Sequence, residues 1–407
     1  MSTVSERTLL VTVSGHDRPG VTRTLFGELA STPVIVQDIE QIVVRGHLIL
    51  SFLLGGVPAD EEESVIARVT RTSARLGMQA HVVAGADPDD DRRRNRVHVT
   101  VMGAPLRPAA VTAVAAAIAD HGGNIDRIRR IASYPVTAIV FEGSGASVAD
   151  LRSPLAAVAS TTGADIAVQR AGLDRRGQHL VVMDVDSTLI QDEVIDLLAA
   201  HAGCESEVAA ITEAAMRGEL DFAQSLRARV ALLQGTDAGV LDDVRRQVTL
   251  TPGARTLCRT LTRLGFRIAL VSGGFIEVVA PLAAELGITD VRANKLSVRN
   301  GVLTGEVEGD IVDRAGKRAA LEAFAAKYDI PMSRTIAIGD GANDIDMLTA
   351  ANLGVAFNAK AATRAAADTA VNVPYLDSVL FLLGITREEI EAADAVTSPE
   401  DQAPDLA

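Results

Sequence analysis

Apolar positions along the first 84 residues switch between a strand-like and a helix-like spacing. The run from Leu9 to Val13 predicts a strand, and the turn residues Gly15 to Gly20 close it. Val21, Leu25 and Leu29, each four apart, predict a helix. Two further strands are expected over Val34 to Val44 and His47 to Leu54, about a turn at Arg45-Gly46. A second helix follows from about Glu61 to Leu76, then a strand from Gln79 to Ala84. The order is βαββαβ. Residues 85–95 read GADPDDDRRRN, a charged stretch with Gly and Pro that predicts a solvated linker. The same order then recurs. Val97, Val99 and Val101 alternate as a strand, and a helix spans about Pro108 to His121. Strands near Ile125 to Ile131 and Val136 to Phe141, a helix over Val148 to Thr161 and a strand from Asp165 to Gln169 complete it. Two copies of one small unit in tandem are an internal repeat.

After the polar stretch GLDRRGQ the pattern changes. Leu180-Val-Val-Met-Asp-Val is nearly continuous in apolar residues, as expected of a parallel strand buried on both faces. Similar runs recur at Ile268 to Val271, Thr335 to Ile338 and Leu353 to Ala356, with helical patterns between them. That alternation predicts an α/β fold with a doubly wound parallel sheet. Gln191 to Thr249 is helical and holds no strand run, which marks an insert after the first strand. The expected organisation is therefore two ferredoxin-like units at 1–84 and 96–170 and an α/β domain at 178–395 with a helical cap at about 191–250. An acidic, disordered tail is expected at 396–407.

Composition narrows the functional classes. The 407 residues allow two to four domains at roughly 100–200 residues each. Lys+Arg is 39 and Asp+Glu is 53, a formal charge of −14, which argues against nucleic acid as the main partner. Aromatics are only 3% with no Trp, so the cores are built from Ala, Val, Leu and Ile. Cys204 and Cys258 are far apart and match no metal-ligand spacing, so they read as small buried apolar residues. The N-terminus lacks the pattern of a signal peptide, and no apolar run is long enough to span a bilayer. A reducing cytoplasm is the expected compartment, with no membrane partner.

Ligands of open α/β sheets bind beyond the carboxyl ends of the strands. Three polar motifs fall there: Asp184-Val-Asp186-Ser-Thr188, Ser272-Gly273-Gly274 and Gly339-Asp340-Gly-Ala-Asn343-Asp344. Lys317 lies at the start of a helix before the third. Taken singly, each has a plainer role: a helix-capping turn, a tight turn, an Asx-type turn and a surface lysine. Together, at these strand ends, the carboxylates would repel one another unless a hard cation joined them. Mg²⁺ is the usual choice where phosphate is also present. Ser272, Lys317 and the glycine-turn amides then suit a phosphoryl group. Neither a P-loop pattern nor a GxGxxG after the strand at Leu180 occurs.

This set of motifs resembles the haloacid dehalogenase superfamily of phosphotransferases. Glu193, Met216, Gly218, Phe222 and the run Gln224-Ser-Leu-Arg-Ala-Arg229-Val in the insert narrow the resemblance to its phosphoserine phosphatases. The tandem units, with Gly15-His-Asp17-Arg-Pro-Gly20, resemble ACT domains, which are amino-acid-binding regulatory modules. ACT–ACT–phosphatase order is similar to that of some actinobacterial phosphoserine phosphatases. The resemblance implies that Asp184 is a nucleophile forming an aspartyl-phosphate and that Asp186 is the acid and base. It implies Mg²⁺ held by Asp184, the carbonyl of Asp186 and Asp340, with Asp344 in support. Ser272, Gly273 and Lys317 would hold the transferred oxygens, and Asn343 would orient that shell or the substrate. In the cap, Arg229 would take the carboxylate of L-phosphoserine and Glu193 its ammonium, with Met216 and Phe222 as an apolar wall.

Gly15, Asp17 and Gly20 in the first unit are candidate effector contacts for serine or another amino acid. Gly103 stands at the same place in the second, where the Asp-Arg-Pro-Gly signature is lost. The alternative is that these units only build a homodimer. Two other readings of the whole chain stay open. One is a related phosphatase or phosphotransferase with another small acceptor, such as homoserine. The other is an amino-acid sensor with an inactive phosphatase domain, which would predict loss of Asp184, Asp186 or Lys317; all three are present.

Overall fold

Period-two alternation in the first segment produces a four-stranded antiparallel sheet with helices on one face. A computed structural model describes residues 7–85, 95–172, 177 and 179–396. Most of the expected linker at 85–95, most of GLDRRGQ and the tail from 397 onward lie outside the described residues. The chain divides into two compact units, 1–92 and 93–407.

The first unit runs β1 (Arg7–His16), α1 (Val21–Leu29), β2 (Ile35–Val44), β3 (His47–Val57), α2 (Glu62–Arg75) and β4 (Gln79–Gly85). Its strand order is β2-β3-β1-β4. Leu9, Val11 and Val13 of β1 and Leu48, Leu50, Phe52 and Leu54 of β3 bury against Val21, Leu25, Val65 and Val69 of the helices. The opposite face stays open, with Leu10, Ile42, Val44, Ile49 and Val83 exposed. β2 is an edge strand exposed along its whole length.

The second unit begins with the repeat: β5 (Val97–Gly103), α3 (Pro108–Asp120), β6 (Asn124–Ala132), β7 (Thr137–Ser144), α4 (Val148–Thr162) and β8 (Asp165–Arg170), in the order β6-β7-β5-β8. Ser147 and Asp150 form a capping box that starts α4. Here the face away from the helices is covered. Met102, Ala138, Val140 and Ala167 lie in one apolar cluster with residues of the α/β domain that follows.

That domain contains β9 (Leu180–Met183), α5 (Val194–Ala202), α6 (Glu205–Met216), α7 (Phe222–Ala231), α8 (Val240–Gln247), α9 (Ala254–Arg263), β10 (Arg267–Phe275), α10 (Ile276–Glu285), β11 (Asp290–Arg299) and β12 (Val302–Glu308). It continues with α11 (Arg314–Lys327), β13 (Thr335–Gly339), α12 (Ile345–Ala350), β14 (Leu353–Phe357), α13 (Ala361–Ala366), β15 (Thr369–Val371), α14 (Val379–Leu382) and α15 (Arg387–Val396). The sheet order is β12-β11-β10-β9-β13-β14-β15. Every pair is parallel except β11 with β12. Every residue of β9, β13 and β14 is buried, which accounts for their unbroken apolar runs. The doubly wound parallel sheet is as expected, but β11, β12 and β15 add strands the apolar runs did not reveal. The chain goes from β9 to β10 on one side and reaches β13 on the other. The carboxyl end of β9 is therefore the switch point where such folds bind ligands.

The helical insert, α5 to α8, leaves and re-enters through paired crossings. Gln191 donates its amide to Thr249 O at 2.9 Å, and Thr251 donates to Leu189 O at 2.9 Å. A second anchor joins the insert to β12, with Gly235 N to Leu303 O and Leu303 N to Thr236 O both at 2.9 Å. No described helix is long and apolar enough to cross a membrane.

Candidate active site

The first motif breaks out of β9 into an irregular turn over Val185–Leu189. Asp184 keeps extended backbone at its start (φ −67°, ψ 161°), and Ser187 adopts a left-handed conformation (φ 55°, ψ 5°). The turn directs Asp184 and Asp186 into one buried space. Asp184 Oδ1 receives the amide of Val185 at 2.8 Å and the ammonium of Lys317 at 2.7 Å. Lys317 is fully buried and also bonds Asp344 Oδ1 at 2.6 Å. Its position follows from the N-cap of α11, where Asp313 accepts the amide of Gly316 at 2.8 Å. Burial alone would lower the Lys317 pKa, but the two carboxylates raise it and keep the ammonium charged. Asp344 Oδ2 in turn accepts the amide of Gly341 at 2.9 Å.

Asp340, at the end of β13, accepts the hydroxyl of Thr188 at 3.1 Å. Asp184, Asp340 and Asp344 bring carboxylate oxygens within 4.8 Å of one another. Burial, and then the neighbouring charge of Asp344, raises the pKa of Asp184 and pushes Asp340 up to about 6. Lys317 offsets part of this. A hard divalent cation on these oxygens would relieve the remainder, so the donor set fits one.

Asp186 is held from two sides. Its Oδ1 accepts the amide of Val194, in the first turn of α5, at 2.9 Å. Its Oδ2 accepts the hydroxyl of Ser272 at 3.0 Å. Burial raises its pKa. Ser272 also receives the amide of Gly274 at 2.7 Å. A Cβ on Gly274 would come 2.7 Å from Asp186 Oδ2, so this turn requires glycine for close approach.

A cavity of about 700 Å³ lies between this cluster and the insert. Asp184, Asp186, Gly273, Asp340 and Asn343 line its floor, and Glu193, Met216, Phe222, Ser225 and Arg229 come from the insert. Glu193 is bonded by Ser187 Oγ at 2.7 Å. Burial, then the charge of Asp186, pushes Glu193 up to about 7. Burial lowers the Arg229 pKa, and its Nε donates to Ser225 O at 3.4 Å. Met216 lines the cavity but is 69% exposed, so Phe222 supplies the greater part of the expected apolar wall. The structure thus gathers the catalytic-core and cap candidates around one space. Ser272, Lys317 and Asp344 are fully buried beneath the floor, where Ser272 bonds Asp186 and Lys317 bonds Asp184 and Asp344. The effector candidates lie elsewhere. Gly15 is near the end of β1, Gly20 precedes α1 with φ +91°, and Asp17 donates its amide to Gly46 O at 2.8 Å. Gly103 ends β5.

Sequence reasoning gave no role to Thr188, the last residue of motif one, which orients Asp340. It also missed Arg314 and Lys360, which line the cavity. Thr188 had a signal, its place in the DVDST run; Arg314 and Lys360 look like surface cations.

Comparison with known proteins agrees with this fold. A haloacid dehalogenase-like hydrolase family matches residues 181–349. ACT domain families match residues 7–83 and 97–169. The chain is 57% identical over 397 residues to a phosphoserine phosphatase of Streptomyces coelicolor, covering 98% of this chain and 97% of that one. It is 50% identical over 391 residues to the phosphoserine phosphatase SerB2 of Mycobacterium tuberculosis, covering 95% of each. Among solved structures, the unliganded probable phosphoserine phosphatase from Vibrio cholerae superposes with a TM-score of 0.57 at 34% identity, covering 74% of this chain and 89% of that one.

Proposed function

The chain belongs to the phosphoserine phosphatases of the haloacid dehalogenase-like hydrolases. From that premise we propose that it hydrolyses L-phosphoserine to L-serine and phosphate through an aspartyl-phosphate on Asp184. The observation that carries this is Asp184 itself. Its Oδ1 is fixed by Lys317 and Val185, while Oδ2 has no hydrogen bond among the described residues. A carboxylate so held can attack phosphorus. The bond from phosphorus to the serine oxygen breaks as the new one forms, and the proton of Asp186 passes to that oxygen. The raised pKa of Asp186 suits a group that must hold a proton before giving it up. Water then attacks phosphorus, Asp186 takes the proton, and Asp184 is restored with release of phosphate.

Asp184, Asp340 and the backbone carbonyl of Asp186 would hold Mg²⁺, with Asp344 supporting. The bound ion would supply charge neutralisation for the carboxylates and the phosphoryl oxygens. Ser272, keeping its bond to Asp186, would stand with the Gly273 amide beside the transferred phosphoryl oxygens. Lys317 would keep Asp184 ionised and in place. Asn343 would orient the same shell. Arg229 and Glu193 carry charges complementary to the substrate carboxylate and ammonium, from a cap whose closure would exclude water.

We assign the first ACT unit an amino-acid effector, serine by its identity with the product, and a role in homodimer formation. The open apolar face of its sheet and the exposed edge strand β2 support the second role. The test of the reaction is phosphate release from L-phosphoserine with Mg²⁺ and with a chelator. Release that needs the ion is expected. Cleavage of other phosphomonoesters with L-phosphoserine untouched would refute the substrate assignment.

A further inference from the structure

Asn294 lies outside the cavity and outside every motif, yet it ties the second motif to the lead-in of α11, the helix that carries Lys317. It sits on β11 opposite Phe275 of β10, and only 1% of it is exposed. Its amide nitrogen donates to Gly273 O at 2.7 Å. Its amide oxygen accepts the backbone N–H of Val312 at 2.8 Å, just before the N-cap of α11. Carbonyl and N–H of one trans peptide point opposite ways. Fixing the Gly273 carbonyl therefore fixes the direction of the Gly274 N–H. That N–H donates to Ser272 Oγ at 2.7 Å, and Ser272 Oγ donates to Asp186 Oδ2 at 3.0 Å. A continuous line of hydrogen bonds thus runs from the lead-in of α11, through Asn294 and one peptide plane, to Asp186. Such chains polarise one another and hold their members in a single arrangement.

We propose that Asn294 is a positioning residue that sets Ser272 and, through it, aims the carboxyl of Asp186 at the leaving oxygen. This rests on the reading of Asp186 as the proton donor. A serine alkoxide leaves poorly unless protonated, whereas p-nitrophenolate leaves without help. The consequence is a loss that depends on the leaving group. A residue that only stiffens the fold would slow both substrates alike.

The experiment measures kcat/KM, which reports the phosphoryl-transfer step, for L-phosphoserine and p-nitrophenyl phosphate in the full chain. Asn294→Ala and the milder Asn294→Ser are compared with the unaltered enzyme. Asn294→Ser can still satisfy one of the two backbone partners, so it gives a folded comparison if the alanine variant is too unstable. Losing this bond is expected to cost about tenfold or more with L-phosphoserine and to stay within about twofold with p-nitrophenyl phosphate. Equal losses on the two substrates, or none on either, would overturn the proposal. If the unaltered enzyme left L-phosphoserine intact, the substrate reading would fall. Glycerol 2-phosphate, another alkyl phosphate, would then serve in the same comparison.

Discussion

Glu193 and Arg229 both line the cavity from the insert, and each is shifted towards its neutral form by burial. An ammonium ligand needs Glu193 ionised, and Glu193 stays largely protonated up to about 7. kcat/KM for L-phosphoserine should therefore rise as pH climbs through about 7, and a pH–rate profile of Glu193→Gln should lack that limb. Arg229→Lys keeps the charge but loses the planar fork. It should raise KM for L-phosphoserine by about 10–100-fold and leave p-nitrophenyl phosphate nearly unaffected. A similar loss on both substrates would place Arg229 in the fold of α7 instead of in recognition. At this scale, legibility depended on company. Asp184, Asp186 and Asp340 stood at the ends of strong strand runs, and their order exposed them. Lys317 taken alone reads as a surface residue, and only burial between Asp184 and Asp344 shows otherwise. Asn294 gave no signal, because a single Asn among Arg292, Lys295 and Ser297 looks like exposed strand.

The elements hidden from the apolar pattern lie towards the two ends of the sheet, β12 with its neighbour β11 at one and β15 at the other. β11 reads DVRANKLSVR and buries only scattered positions, so it shows neither a continuous run nor clean alternation. β15 has three residues, too few for any period. Yet β15 is where the second ACT unit meets the α/β domain. Thr369 Oγ1 donates to Ile166 O at 2.8 Å, and Asp165 accepts both the backbone and side-chain amides of Asn372, at 2.9 Å and 2.6 Å. Burial pushes Asp165 up to about 6 from an ordinary 3.8. A carboxyl with the higher value in the folded state binds its proton more tightly there. Its contribution is full below 3.8 and is lost as pH rises through about 6. Urea unfolding of the enzyme and of Asp165→Asn, on either side of about 6, should show the unaltered chain losing on the order of 1–3 kcal/mol relative to the variant as pH rises. A difference that does not change with pH would mean that Asp165 is solvated in the folded protein.

At the level of the whole molecule, the two repeats have diverged in what covers their sheets. The second is sealed by the α/β domain, and its Met102 and Ala138 have no exposed surface. The first leaves Leu10, Ile42 and Val44 exposed at 46%, 47% and 61%. Its sheet is thus the face available to a second copy. For the homodimer proposed above, Ile42→Asp with Val44→Asp should convert two chains to one in sedimentation equilibrium; a mass unchanged at two chains would move the proposed contact elsewhere. The repeat itself was legible in the sequence, because both copies keep the βαββαβ order. The difference in cover was not, since the alternation of β1 and β5 looks alike and only tertiary contact distinguishes them. This architecture presents Asp184 as the proposed nucleophile. The most direct measurement is a rapid acid quench of the enzyme turning over radiolabelled L-phosphoserine, followed by peptide mapping of bound phosphate. Transient, hydroxylamine-sensitive label is expected on the peptide containing Asp184 and should be absent in Asp184→Asn. Steady release of phosphate with no protein-bound label, or label on another residue, would contradict that role.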